Sequence, residues 1–219
     1  MNIFDIVGPV MIGPSSSHTA GAVRIGKITQ MLLSEEVADA KIKLHGSFAD
    51  TYKGHGTDNA LIGGLLGFST DDERIRDSKN LADQAGLKYR IEVVNLHDVH
   101  PNTAIIEATG RSGKRVCVMG CSIGGGNVVI KKINGLAVEF DGQYHALIVY
   151  HKDKPRVIGF VTSTLGQGDI NIAGMKVYRS NRGGDAIMII ETDQQVNEGT
   201  ILSIRQNPNV TDAIYIEKI

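Results

Sequence analysis

"INIAGMKVYRSNRGGDAIMIIETD" occupies residues 170–193. Its two apolar runs, "INIAGMKVYR" and "AIMIIETD", have strand character and are joined by "SNRGGD", a glycine-rich hairpin signal. Upstream, "HALIVYH" (145–151) reads as another apolar strand. Between them, "KPRVIGFVTSTLGQGD" (154–169) sets Pro155 near a helix start and puts Val157, Phe160, Val161 and Thr164 on one face. Downstream, "NEGTILSIRQN" (197–207) reads as a short helix and "VTDAIYIEKI" (210–219) as a closing strand. The predicted order is β-α-β-β-α-β, the ferredoxin-like split βαβ arrangement.

The first 144 residues follow a different pattern. A helix after residue 20 puts Gly21, Ile25, Ile28 and Leu32 on one face, and "KIKLHGSF" (41–48) reads as a strand. "TDNALIGGLLG" (57–67) predicts a second helix with Thr57 or Asp58 as N-cap. "DDERIRDSKNLADQAG" (71–86) predicts a third, ended by Gly86. "YRIEVVNL", "TAIIEATG" and "RVCVMG" are strand-like, and "VVIKKINGLAVEF" is a hairpin around Asn134-Gly135. The expected fold class is therefore α/β (α+β): a mixed-sheet domain over 1–144, then a ferredoxin-like domain over 145–219. Only the short "DGQYH" lies between them.

Composition narrows the function. The chain has 219 residues, 42% hydrophobic and 21% charged, which is ordinary for a globular protein. A net charge of −1 gives no electrostatic footprint for nucleic acid or an anionic membrane. No apolar run is long enough to span a bilayer, and "MNIFDIVGPVMIG" lacks the basic leader and long apolar core of a signal peptide. A cytoplasmic protein with reduced thiols is expected, its two cysteines being Cys117 and Cys121. Glycine, 26 residues against a usual share of roughly 7%, clusters in a way that suggests special backbone conformations at sites.

The polar clusters carry the chemistry. "GPSSSHTAGAVRIG" (13–26) places Ser15, Ser16, Ser17, His18 and Thr19 at a helix start. One serine suffices as a cap, so three serines and a histidine fit an anion held by free N–H groups and the helix dipole. A histidine beside a helix N-terminus has its cationic form disfavoured and can accept a proton. "HGSFADTYKGHGTDNA" (45–60) has the same layout, with His45, Lys53, His55, Thr57 and Asp58 on a glycine-punctuated loop leading into a helix. Two such loops in one domain point to a shared site. "HDVHPN" (97–102) reads as a strand end and turn, with His100 and Asn102 at the edge of a site; no further ligand set completes a metal centre there. "SIGGGN" (122–127) fits either a backbone anion nest or a tight turn. Cys117 and Cys121 are too few for an iron–sulfur cluster, which usually needs about four thiolates, and read as buried structural thiols.

Together, "GPSSSHTAGAVRIG", "HGSFADTYKGHGTDNALIGG", "HPNTA" and "SIGGGN" resemble the β subunit of bacterial iron–sulfur L-serine dehydratases, and the resemblance covers the whole chain. It implies an N-terminal domain related to the allosteric substrate-binding domain of D-3-phosphoglycerate dehydrogenase. It implies a C-terminal ACT domain, with "GDINIAGM" matching the first loop and second strand. The implied activity removes water and then ammonia from L-serine to give pyruvate. The implied cofactor is a four-iron, four-sulfur cluster carried by an α subunit, with no metal on this chain. By the same resemblance His18 and His55 are the motif histidines; His55 is the favoured base and His18 its partner, or the reverse. Ser15, Ser16, Ser17 and Thr19 would receive the substrate carboxylate, and Thr57 and Asp58 would orient the second histidine or the ammonium. The ACT domain would pair with a second copy and take an amino-acid effector, serine, near Asn171, Ile172, Ala173 and Gly174. Two rivals remain at this point: a non-catalytic amino-acid sensor, and the regulatory end of a phosphoglycerate dehydrogenase.

Overall fold

The computed structural model describes residues 9–219. They fall into two compact units. One comprises the described residues up to Gly135 with Glu139–Asp141; the other comprises Leu136–Val138 with Gly142–Ile219.

In the first unit a π-helical turn, Ser16–Ala20, runs directly into helix α1 (Gly21–Leu33). Strand β1 (Val37–His45) follows, then helices α2 (Ser47–His55) and α3 (Thr57–Leu65). A 3₁₀ turn at Glu73–Asp77 leads into α4 (Ser78–Ala85). The remaining strands are β2 (Lys88–Val93), β3 (Thr103–Gly110), β4 (Arg115–Gly124), β5 (Asn127–Ile133) and β6 (Leu136–Phe140); of β6, only Glu139 and Phe140 belong to this unit. They form a six-stranded sheet in the order β2-β1-β3-β4-β5-β6. The β1–β2 pair is parallel and the β1–β3, β3–β4 and β4–β5 pairs are antiparallel, so the sheet is mixed.

Alternation along β1 shows why one face carries helices. Ala40, Ile42 and Leu44 are buried. Lys41 and Lys43 point the other way, where they pair with Glu92 and Glu107. Helix α1 packs over β3, β4 and β5 with Ile25, Ile28 and Leu32 buried, as its period predicts. It crosses α3 where glycine faces glycine. A Cβ at Gly26 would overlap the Leu61 carbonyl oxygen, and one at Gly64 the Val23 carbonyl oxygen. This close approach joins the helix that follows the serine turn to the helix that follows His55.

Three local readings are revised. The stretch 47–55 is a helix, not a loop: Gly46 and Gly56 bound it, and its first turn holds the buried Phe48 even though Gly54 and several weak helix formers lie within it. Thr57 is the first residue of α3 and no side chain caps it; the cap position belongs to Gly56, which is left-handed (φ 67°). The segment predicted as one helix over 71–86 begins instead with the 3₁₀ turn, whose Asp72 side chain caps Arg74 N–H.

The second unit contains β7 (His145–Lys152), α5 (Val157–Gln167), β8 (Ile172–Arg179), β9 (Asp185–Thr192), α6 (Glu198–Arg205) and β10 (Val210–Ile216). Its antiparallel sheet has the order β10-β7-β9-β8, the ferredoxin-like βαββαβ arrangement. Val157, Val161 and Leu165 of α5 pack with Leu147, Val149, Met188 and Ile190 of the sheet.

Candidate active site

The histidine turn is built by its first serine. Ser15 is extended (φ −140°, ψ 123°), and its Oγ accepts the His18 N–H at 3.2 Å while its carbonyl accepts the Thr19 N–H at 2.8 Å. His18 is thereby driven inward and buried. Its Nδ1 lies 3.1 Å from Ser17 Oγ and 3.3 Å from Ser15 Oγ, and its Nε2 lies 3.0 Å from Ser47 Oγ. Because Ser15 Oγ already accepts a backbone N–H, its own proton is the one to donate to Nδ1. From that pattern we assign the tautomer with hydrogen on Nε2, donating to Ser47. Burial holds the His18 pKa below its ordinary value, the neighbouring His55 pushes the same way, and a hydrogen bond donated by the ring to Ser47 opposes both. The imidazole is neutral near pH 7.

His55 is the last residue of α2, and its ring meets that of His18 edge-on: centroids 4.9 Å apart, planes at 84°. Phe48 closes another side of His18 at 5.3 Å. Thr19 Oγ1 donates to the His55 carbonyl at 3.5 Å. His55 Nδ1 is buried and has no hydrogen-bond partner.

His55 and Thr19 line a pocket of about 590 Å³, together with Lys53, Asn59 and Arg76 and backbone at Gly54 and Gly56. The structure thus brings both predicted histidines together, but only His55 faces the pocket. Ser15 and Ser17 turn to His18, and none of the three serines belongs to the pocket lining. Thr57 is fully buried with an unpartnered Oγ1. Asp58 is buried against Lys79 at 2.5 Å and accepts the Asn59 N–H at 2.9 Å. His45 Nδ1 accepts the Leu96 N–H, and His100 Nδ1 accepts the Asn102 N–H within a turn.

The glycine run resolves as a tight turn. Gly124 and Asn127 close a two-residue hairpin in which Gly125 (φ 59°) and Gly126 (φ 80°) are both left-handed. A Cβ at Gly126 would stand 2.7 Å from Pro9 Cδ, and Arg24 donates to the Gly126 carbonyl at 2.8 Å. The turn therefore packs beside the chain that leads into the histidine turn.

Sequence reasoning missed Ser47, Asn59 and Arg76 as site residues. Ser47 was legible only as one polar residue after a glycine, and Arg76 only as one charge in an acidic-basic run. Asn171, the head of the expected effector site, donates its amide to Asp193 at 2.6 Å. A pocket in that unit, of about 460 Å³, lies toward the far end of β8, at Arg156, Arg179 and Arg182.

Cys117 and Cys121 are free thiols, half-buried and buried, and burial raises both pKa values. Among the described residues no three His, Cys, Asp or Glu side chains converge as a metal site. Two inert thiols do not fit a four-iron, four-sulfur cluster.

Residues 2–99 match the family model of the serine dehydratase beta chain. The chain is 43% identical over 218 residues to the probable L-serine dehydratase beta chain of Bacillus subtilis (strain 168), covering 100% of this chain and 97% of that one. The chain belongs to the L-serine dehydratase β-chain family. Its likeness to the L-serine dehydratase beta chain of Peptoniphilus asaccharolyticus is 40% over 215 residues, 98% of this chain and 97% of that one. A D-3-phosphoglycerate dehydrogenase of Bacillus subtilis (strain 168) is 27% identical over 198 residues, 90% of this β chain but 37% of that protein. The mixed α/β, two-sheet architecture is consistent with that second likeness. Among the described residues no helix is long and apolar enough to cross a membrane.

Proposed function

We propose that this β chain acts with an α chain as an L-serine ammonia-lyase, removing water and then ammonia from L-serine to give pyruvate. The cluster is assigned to the α chain, where it would act as a Lewis acid on the serine hydroxyl.

His55 is the proton acceptor for the serine α-carbon. One observation carries this reading: His55 stands in the pocket wall with Nδ1 unpartnered, while both nitrogens of His18 meet serine hydroxyls. His18 is then the neutral neighbour that fixes the His55 ring, and Ser15, Ser17 and Ser47 fix His18. Thr19 supports the backbone of His55, and Asp58 accepts the Asn59 N–H in the first turn of α3 behind it, where Thr57 is buried. The substrate carboxylate is received on the cationic side of the pocket. Residues 1–144 form this catalytic-site domain and 145–219 an ACT domain. The ACT domain pairs with a second copy and takes an amino-acid effector near Asn171–Gly174.

Anaerobic mixing with the cluster-bearing α chain tests the assignment. The β chain alone should form no pyruvate, and the mixture should. His55→Ala should lower turnover by roughly 10²–10⁴-fold with the complex still formed, the usual loss on removing a positioned base. Turnover close to that of the unaltered complex would leave His55 outside the chemistry.

A further inference from the structure

The charge of the His55 pocket is one-sided. Lys53 and Arg76 both line it, and among the described residues neither forms an ion pair. Among the described residues no aspartate or glutamate lines it. The acidic residue nearest in sequence to its lining helix start, Asp58, is held by Lys79 at 2.5 Å and has a side chain only 6% exposed. Asn59 contributes a neutral amide and Thr19 a hydroxyl already donated to the His55 carbonyl.

An α-amino acid carries a carboxylate and an ammonium about one carbon apart, and a site that holds the whole zwitterion sets cations at one end and an acid or several oxygen acceptors at the other. The described lining of this pocket offers one sign of charge. Two cations suit a carboxylate, and an ammonium beside them meets repulsion with no acid to offset it. We infer that the β chain binds only the carboxylate end of its substrate, through Lys53 and Arg76. It follows that the group receiving the ammonium comes from the partner subunit. The inference rests on the reading that substrate enters this pocket, and it adds which end enters and which residues hold it.

Three small probes separate the ends: L-serine, 3-hydroxypropionate, which lacks only the ammonium, and ethanolamine, which lacks the carboxylate. Titration of the full 219-residue chain by calorimetry or by histidine side-chain NMR should show 3-hydroxypropionate bound at least as tightly as L-serine, and ethanolamine not bound. Lys53→Met and Arg76→Met should each weaken 3-hydroxypropionate by about tenfold or more, the usual range for losing a hydrogen bond to a charged group. Lys53→Arg and Arg76→Lys should restore much of it. Both residues are exposed, so circular dichroism of the variants should match the unaltered chain. L-serine bound tenfold tighter than 3-hydroxypropionate by the chain alone would overturn the inference. So would ethanolamine binding, no binding of either carboxylate, or binding unchanged in both methionine variants. None of these readouts involves turnover. Loss of the His55 role with carboxylate selectivity intact, or the converse, tells the two readings apart.

Discussion

The rings of His18 and His55 stand nearly perpendicular at a centroid distance of 4.9 Å, and the His55 ring disfavours charge on His18. Burial is the larger influence on His18 and the neighbouring histidine the second. His18 should therefore titrate below the ordinary histidine value of about 6.5. A group with a depressed folded-state pKa stabilises the fold above its unfolded value; that contribution is lost as pH falls from about 6.5 toward the folded value. Replacing His55 by Gln removes the second influence, so the His18 midpoint should rise. A pH titration of the histidine ring signals reads this directly, and a midpoint that stays or falls in His55→Gln contradicts it.

Lys79→Met tests whether Asp58 is structural. The carboxylate is buried, and its partner Lys79 is 43% exposed, so removing the lysine strands a buried charge while perturbing little else. A loss of about 1–3 kcal/mol is expected in urea unfolding, in the range for an unsatisfied buried group. Asp58→Asn combined with Lys79→Met should recover part of it, because a neutral amide has less to lose by burial. Equal stability of Lys79→Met and the unaltered chain would leave the pair without a structural role.

Gly64→Ala should destabilise the first unit by about 1–3 kcal/mol or more through overpacking. The added methyl meets the Val23 carbonyl and the Lys27 N–H of α1, backbone atoms that cannot rotate away. Gly159→Ala, in α5 with open space around it, is the control and should be neutral or slightly stabilising. Denaturation curves for the two variants that coincide would show that α1 and α3 are free to separate.

Strand β8 is an edge of its sheet, with Met175 at 40% and Val177 at 38% exposure. An exposed edge of this kind is a template for strand pairing. If the second units of two copies pair side by side along this edge, Val177→Lys should shift sedimentation toward the monomer without changing the far-ultraviolet spectrum. An unchanged oligomer would place the self-contact elsewhere.

Much of the architecture could be read from local pattern. The period of residues 21–32 identifies the buried stripe of α1 because a helix repeats every 3.6 residues whatever it packs against. Asn134 (φ 49°) and Gly135 (φ 82°) form their turn because few other residues accept two left-handed positions in succession. The βαββαβ order of residues 145–219 follows from the same short-range rules, as do the two histidine-bearing segments.

The site itself depends on distances that no local rule supplies. Ser47 reaches His18 across 29 positions of sequence, and Lys79 reaches Asp58 across 21. Whether a serine seats an anion or holds an imidazole depends on which groups the fold brings within about 3 Å, and three hydroxyls beside one ring decide it for His18. Asp58, polar and three residues after the motif histidine, is buried against Lys79, a pairing that no local pattern indicates. Arg76 has no local mark of a site residue, and the 3₁₀ turn carries it to the pocket of His55. Secondary structure is set by neighbours along the chain, whereas charge and proton chemistry are set by neighbours in space, through burial and hydrogen bonding that arise only once the sheet and helices close over one another.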